Sequence, residues 1–297
     1  GDNNTLVGRE AGKLITSGAQ NTSVGANALD ANTTASNNVA IGYASLTSNT
    51  TGATNTSVGA LSLQENTTAS NNVAVGYLSL GANTTGTNNV MVGTNAGDAI
   101  TTSNNNTGVG HDVLGANTSG DLNTAMGSTA LNTNTTGANN TGIGYAALTA
   151  NTTGSDNVAV GMNSLQANTT ASFNVAIGKN SMEANTEGAN NTAVGRESLA
   201  SNTTASNNTA IGYNSLLVNT TGAGNTAVGA SALDANTTGA NLVAVGSAAL
   251  GANTTADNNT AIGAAALLVN TTGAENVAIG VQALDANTTG SNHVAVG

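Results

Sequence analysis

The chain of 297 residues contains no cysteine, no proline and no tryptophan. The lack of cysteine excludes disulfide bonds and thiolate metal ligands. With one phenylalanine and four tyrosines, a core built on large aromatic side chains is also excluded. Charged residues make up only 6% of the chain, whereas roughly 25% is typical of soluble domains. The composition is therefore unlike that of an ordinary globular domain.

Positive charge is also scarce. Four Lys and Arg residues face fifteen Asp and Glu residues, which gives a formal net charge of −11. So few cations cannot neutralise a phosphate backbone, and we expect no nucleic acid partner. Attraction to an anionic membrane surface is excluded for the same reason. No apolar run approaches the ~20 residues that span a bilayer, so membrane insertion is not expected.

What the chain does have is one short tandem repeat along its whole length. If Asn37 is numbered as position 1, position 6 is Gly in every unit from Gly8 to Gly297, always at a spacing of 17 residues. The consensus is x-N-[VT]-A-[VI]-G-x-x-[AS]-L-x-[AS]-N-T-T-[GA]-x, without an insertion. Apolar residues, 38% of the chain, recur at fixed positions of this unit, and such periodicity disfavours disorder.

A unit of 17 residues is too short for helical repeats, which need roughly 33 residues or more. It suits one coil of a parallel β-solenoid, so we predict an all-β fold with one coil per repeat. Residues 1–297 then form a single array of about 17.5 coils, stacked at ~4.8 Å into a rod of roughly 80 Å. We expect one strand at N-V-A-V and a second around [AS]-L. Because the array stops within a unit, we expect it to be part of a longer fibre.

Each column of the repeat has a predicted structural role. Val39 and Ile41 share one strand face, since side chains alternate with period two, and we predict both in the core with Leu46. Gly42 is expected to turn a corner. Asn38 and Asn49 are expected to form ladders of amides along the stacked coils.

Two units depart from the consensus in the same way. Position 10 is Gly12 or Gly97 in place of Leu, and position 13 is Ile15 or Ile100 in place of Asn. Because the two changes occur together, we predict that each isoleucine fills the space that the missing leucine leaves.

The variable columns are candidates for surface contacts. All four tyrosines lie at position 7, a column that we predict to point outward. The candidate contact residues are Tyr43, Tyr77, Tyr145, Phe173 and Tyr213. The N-T-T triplet is also an acceptor for N-glycosylation, for example at Asn49, Asn151 and Asn219. The unvarying Thr in the middle of the triplet favours the alternative, a turn with an asparagine ladder, since glycosylation does not require it.

No catalytic constellation emerges from the pattern. His111 and Asp112 occupy outward columns, which favours a solvated pair over a base and its orienting group. We therefore predict no enzyme activity, no cofactor and no metal site. The threonine columns suggest an ice-binding surface as a minor alternative. Adjacent threonines such as Thr50 and Thr51 would point in opposite directions on a strand, which disfavours it.

The hexapeptides NNVAIG at 37–42, FNVAIG at 173–178 and ENVAIG at 275–280 resemble the head repeats of YadA-like trimeric autotransporter adhesins. The longer N-T-A-V-G-x-x-A-L-x-x-N-T-T-G form is similar to repeats of phage tail fibres. The resemblance implies a left-handed parallel β-roll and a homotrimer. Ala at position 4, as in Ala40, fits either a close approach of another chain or a tight coil. The adhesin repeat is shorter, and the chain contains neither a coiled-coil stalk nor a membrane anchor.

Together these features predict a structural fibre protein that is extracellular, on a cell surface or on a virion. Its main partner would be itself, as a homotrimer or as a lateral or end-to-end polymer. The alternative is an adhesin head that binds a cell-surface receptor or glycan.

Overall fold

The computed structural model describes all 297 residues as an all-β solenoid without a helix. Each repeat forms one strand of three residues, and each strand pairs in parallel with the strands of neighbouring coils. Paired residues are 17 apart throughout, as in Val39 opposite Thr56 and Ile41 opposite Val58. The predicted fold class and the coil of 17 residues without insertions are confirmed. The chain has no helix long and apolar enough to cross a membrane.

The chain divides into two compact units, Gly1–Thr153 and Gly154–Gly297. The first unit contains β1 (Thr5–Val7), β2 (Thr22–Val24), β3 (Val39–Ile41), β4 (Thr56–Val58), β5 (Val73–Val75), β6 (Val90–Val92), β7 (Thr107–Val109), β8 (Thr124–Met126) and β9 (Thr141–Ile143). The second contains β10 (Val158–Val160), β11 (Val175–Ile177), β12 (Thr192–Val194), β13 (Thr209–Ile211), β14 (Thr226–Val228), β15 (Val243–Val245), β16 (Thr260–Ile262), β17 (Val277–Ile279) and β18 (Val294–Val296).

The strand faces the opposite way from the prediction. Ala40, at position 4, is fully buried inside the coil, whereas Val39 is half-buried and Ile41 is 38% exposed on the outer face. The placement of Val39 and Ile41 in the core is therefore wrong. The coil is too narrow for branched side chains here, so the small residue of the V-A-I triplet points inward. Two alternatives were open for Ala40, a close approach of another chain and a tight coil. The burial of Ala40 inside the coil supports the tight coil.

The core is formed by the small side chains of positions 4 and 9 and the leucine of position 10. Ala40, Ser45 and Leu46 are each fully buried, which confirms the prediction for Leu46. Position 12 lies at the edge of the core, since Ser48 is only half-buried.

The predicted second strand does not form, because the chain turns sharply at several residues. Asn37, Ala44 and Leu46 all have left-handed backbones, with φ of 63°, 50° and 52°. A left-handed L-residue costs about 1–2 kcal/mol, whereas burying a leucine side chain contributes about 1.5–3 kcal/mol. Burial therefore outweighs the strain at position 10. Gly42 has φ of 132°, and an added Cβ would lie 2.5 Å from the Gly59 carbonyl oxygen, so this corner requires glycine.

Two asparagine columns fasten the coils. Asn49 Nδ2 donates to Asn32 Oδ1 of the preceding coil at 3.2 Å, and Asn66 Nδ2 donates to Asn49 Oδ1 at 2.9 Å. This confirms the amide ladder at position 13. The position 2 ladder differs from the prediction, since Asn38 Oδ1 accepts the backbone N–H of Asn55 at 2.9 Å. That arrangement satisfies buried backbone groups where the coil has no strand.

The exceptional coil at Gly97 confirms the predicted compensation and adds a third partner. An added Cβ on Gly97 would meet Ile100 Cδ1 at 2.9 Å and Met91 Cγ at 3.1 Å. Both side chains therefore fill the space of the missing leucine. Met91 stands at position 4, where other coils carry small residues, and Leu6 plays the same part beside Gly12 and Ile15.

Ile100 also interrupts the asparagine ladder. Asn83 Oδ1 is buried without a hydrogen bond. It would accept one from an asparagine in the place of Ile100. On the other side of the gap, Ser103 Oγ accepts from Asn106 Nδ2 and Asn117 Nδ2, each at 3.1 Å. The serine thus replaces part of the missing carboxamide.

Candidate functional site

The outer face of the strands is a surface without charge that recurs in every coil of both units. Positions 3 and 5 carry only Thr, Val, Ile or Met, without a charge in any coil. Exposed position 5 side chains away from the chain ends include Ile41, Val109, Met126, Ile143, Ile177, Ile211, Ile262 and Ile279. Parallel sheets are normally covered on both faces. Here the position 5 side chains remain exposed to solvent.

The position 7 column points outward, as predicted. Tyr43, Tyr77, Tyr145 and Tyr213 are all about half exposed, between 47% and 59%. Phe173, in the position 1 column, is 60% exposed. Their proposed role in contacts stays a prediction. In the second unit, the Arg196 guanidinium lies 5.1 Å from the centre of the Tyr213 ring, within the range of a cation–π contact.

The N-T-T triplets form turns whose asparagines point into the coil. Asn49, Asn151 and Asn219 are fully buried. Asn219 Nδ2 donates to Asn202 Oδ1 at 3.2 Å and to the Gly222 carbonyl at 2.9 Å. The fold leaves no space for a sugar on these nitrogens, so glycosylation at the three sites conflicts with it.

The threonines of the same turns divide their roles. Thr50 Oγ1 donates to the Thr67 carbonyl of the next coil at 3.0 Å and is half-buried, whereas Thr51 is exposed. The same bond recurs along the column, for example from Thr220 to Thr237 at 3.1 Å. The hydroxyl of the middle threonine therefore donates its hydrogen bond to the backbone. Only the last threonine column of the turn is fully exposed to solvent.

A shallow groove of about 700 Å³ lies within the second unit. Its lining includes the apolar side chains of Val218, Leu268 and Val269 and small residues such as Gly251. The carboxyl of Asp234 also lines it. Partial burial raises the pKa of Asp234 above its ordinary value, against hydrogen bonds from its backbone and from Ser231. The groove is thus apolar with one acidic group.

The chain has three small, solvated ion pairs, Lys13 with Glu10, His111 with Asp112 and Arg196 with Glu197. His111 Nδ1 lies 3.1 Å from Asp112 Oδ2, and the side chains are 58% and 32% exposed. Asn95 Nδ2 donates to Asp112 Oδ1 at 3.0 Å. Burial, and to a smaller extent the nearby Asp112, raises the pKa of Asp98. No three His, Asp or Glu side chains lie close enough to share a metal ion.

Sequence reasoning found the Tyr column and missed the strand face. The missed signal was position 4, where Leu6 and Met91 are large only in the two coils that lack the core leucine. That correlation shows position 4 to be internal, and hence positions 3 and 5 to be external. A scan of family models and a search of curated proteins returned no match to the chain.

Proposed function

We propose that the chain is a structural fibre segment whose copies associate side by side through the strand face of positions 3 and 5. The observation that supports this is a continuous apolar surface on every strand. Burying it would remove Val and Ile side chains from water, which favours association by about 25 cal/mol per Å². A stiff fibre outside a cell or on a virion fits such a surface.

The regularity of the face favours copies of the same chain as the partner. The columns repeat at the strand spacing of about 4.8 Å, so two such faces match over many coils in succession. Thr at many of the position 3 sites adds hydroxyl groups that can bond across an interface. Three copies, as the resemblance implies, would enclose the strand faces in one shared core.

The stiffness of each unit comes from the ladders that join coil to coil. Asn49 bonds to the coil before it and Thr50 to the coil after it. Since most coils repeat these bonds, and only Ile15 and Ile100 replace the asparagine, bending would break many of them together. The stiffness of the proposed fibre would therefore come from hydrogen bonds of its own backbone and side-chain amides.

Charge placed on the strand face tests this proposal. We expect the double variant Ile41→Lys/Ile143→Lys to sediment as a single chain, since lysines would be buried in the contact. The matched control Ala60→Lys/Ser128→Lys places the same two charges at position 7 and should leave the assembly unchanged. Circular dichroism establishes that both variants are folded. An unchanged mass for the folded double variant would overturn the proposal.

An adhesin head is the second candidate. The exposed tyrosines favour it, because Tyr offers a large apolar ring with a polar end and is enriched at binding surfaces. Binding of the purified protein to cells, absent in variants of this column, would separate an adhesin from a spacer.

A further inference from the structure

Large and small side chains alternate along position 7 of the first unit. The large residues are Arg9, Tyr43, Tyr77, His111 and Tyr145, and the small ones between them are Ala26, Ala60, Thr94 and Ser128. Each large residue carries a planar group, and each is 34 residues, or two coils, from the next. All five are exposed. The column is thus a row of planar groups separated by low gaps.

The spacing of this row is fixed by the backbone. Leu61 N donates to the Tyr43 carbonyl at 3.0 Å, and Leu78 N donates to the Ala60 carbonyl at 3.1 Å. These bonds hold position 7 of successive coils in register. With coils about 4.8 Å apart, the planar groups recur every ~9.6 Å along the stack.

Packing alone does not demand the alternation. In the second unit Arg196 and Tyr213 occupy position 7 of adjacent coils, and the guanidinium packs over the ring. Two large neighbours are therefore tolerated one coil apart. The gaps at Ala26, Ala60, Thr94 and Ser128 need another explanation.

We propose that this row binds a neutral, β-1,4-linked hexose chain laid along the direction in which the coils stack. Such a chain is a flat ribbon with an approximate two-fold screw, so it presents the same ring face at every second sugar. That interval is close to two strand spacings. Each exposed planar group would stack on the apolar C–H face of every second sugar, and the small residues would leave room for the sugars between.

The chemistry of the row fits a neutral glycan. Tyrosine rings offer apolar surface, and their hydroxyls remain available to sugar hydroxyls or bridging water. The Thr94 and Ser128 side chains add hydroxyl partners within the gaps. Arg9 and His111 are separated along the row by Tyr43, Tyr77 and the small residues, and His111 pairs with Asp112, so the row has no cluster of positive charge for an acidic polymer. Affinity comes from several weak contacts made together.

Calorimetric titration with cello-oligosaccharides tests the proposal. We expect the hexasaccharide to bind and the disaccharide to bind at least tenfold more weakly, since only the longer chain reaches several rings. Each of Tyr43→Ala and Tyr77→Ala should weaken hexasaccharide binding roughly three- to tenfold. Tyr213→Ala, which removes a tyrosine outside this row, is the control and should bind as the unaltered protein does.

Two further measurements identify the spacing as the cause. Ala60→Tyr fills a gap and should weaken binding, although it adds an aromatic ring. The α-1,4-linked hexasaccharide, which curves, should bind at least tenfold more weakly than the β-1,4-linked one. Equal binding of the two linkages, no detectable binding of the β-linked chain, or stronger binding by Ala60→Tyr would each overturn the proposal. Sedimentation reports lateral association separately, so failure of one proposal does not imply failure of the other.

Discussion

Asn38 and Asn49 donate to the same acceptor, the carbonyl oxygen of Gly52, at 3.0 and 2.9 Å. The two side chains are buried and flank the corner at position 16, where their amides meet at one carbonyl. Since position 16 is only Gly, Ala or Ser in the chain, the site stays narrow enough for both amides to reach the carbonyl. This double contact closes the coils that carry asparagine at both positions, while the ladders join one coil to the next.

Removal of one ladder asparagine should weaken the fold. Asn49→Ala would leave the buried Asn32 Oδ1 without its donor and would take from the buried Asn66 Nδ2 one of its two acceptors. We expect a loss of about 3 kcal/mol in the free energy of unfolding. Ser48→Ala, at the half-buried neighbouring position, is the control and should change it by less than about 0.5 kcal/mol. Denaturant titration measures both, and equal midpoints would contradict the role of the ladder.

The coil at Gly97 should accept a leucine only if its compensating residues are changed too. Gly97→Leu alone would collide with Ile100 and Met91, and we expect a loss of roughly 1–3 kcal/mol from overpacking. The triple variant Met91→Ala/Gly97→Leu/Ile100→Asn recreates the consensus and gives Asn83 Oδ1 a partner. It should be more stable than the single variant in thermal unfolding. A triple variant that is less stable than the single one would show that the three residues are not coupled.

Ser103 should contribute more to the free energy of unfolding than a surface serine does. Its hydroxyl accepts from two buried amides, those of Asn106 and Asn117. Ser103→Ala would leave these donors with fewer partners and should cost about 1–2 kcal/mol. Ser48→Ala again serves for comparison, and similar midpoints for the two variants in urea unfolding would rule out the compensating role.

Asp234 should make stability depend on pH. Burial raises its pKa above the ordinary value of 3.8, so the folded chain holds this proton more tightly than the unfolded chain. The associated stability is fully present below pH 3.8 and is lost as the pH rises through the raised pKa. Asp234→Asn should therefore be more stable than the unaltered protein at pH 7, with a smaller difference at lower pH.

The exposed carboxyl of Glu65 provides the comparison for that experiment. Glu65→Gln removes one negative charge from an exposed side chain and thus controls for the change in net charge alone. Thermal melts of the three proteins between pH 3 and 8 would measure the effect. Parallel curves for Asp234→Asn and the unaltered protein would contradict the burial of Asp234.

The sequence predicted the 17-residue coil correctly, but the strand residues Val39 and Ile41 were expected in the core and lie on the outer face. The reason is physical. The spacing of Gly8 to Gly297 determines a 17-residue coil, and Leu46 and the Asn49 ladder follow from their columns. In a V-A-I strand both faces are apolar, so period two alone cannot tell which face points inward. The width of the coil decides, and it admits only small side chains beside Leu46.

The turns were partly beyond prediction. Glycine at position 6 marks a corner because it tolerates positive φ, and Gly42 bears this out. Leu46 gives no such signal, since a leucine is disfavoured in the left-handed region. Its conformation is imposed by the burial of its side chain. Asn37 does carry a signal for its left-handed corner, because asparagine is frequent at position 1 and visits the left-handed region more readily than most residues.

The mass of the unaltered protein in solution tests side-by-side association through the strand face most directly. Sedimentation equilibrium at micromolar concentration should give three times the chain mass of 28.5 kDa. The mass should be independent of moderate salt, since the contact between the strand faces of Ile41 and its counterparts is apolar. A stable single chain of 28.5 kDa under the same conditions would contradict the account.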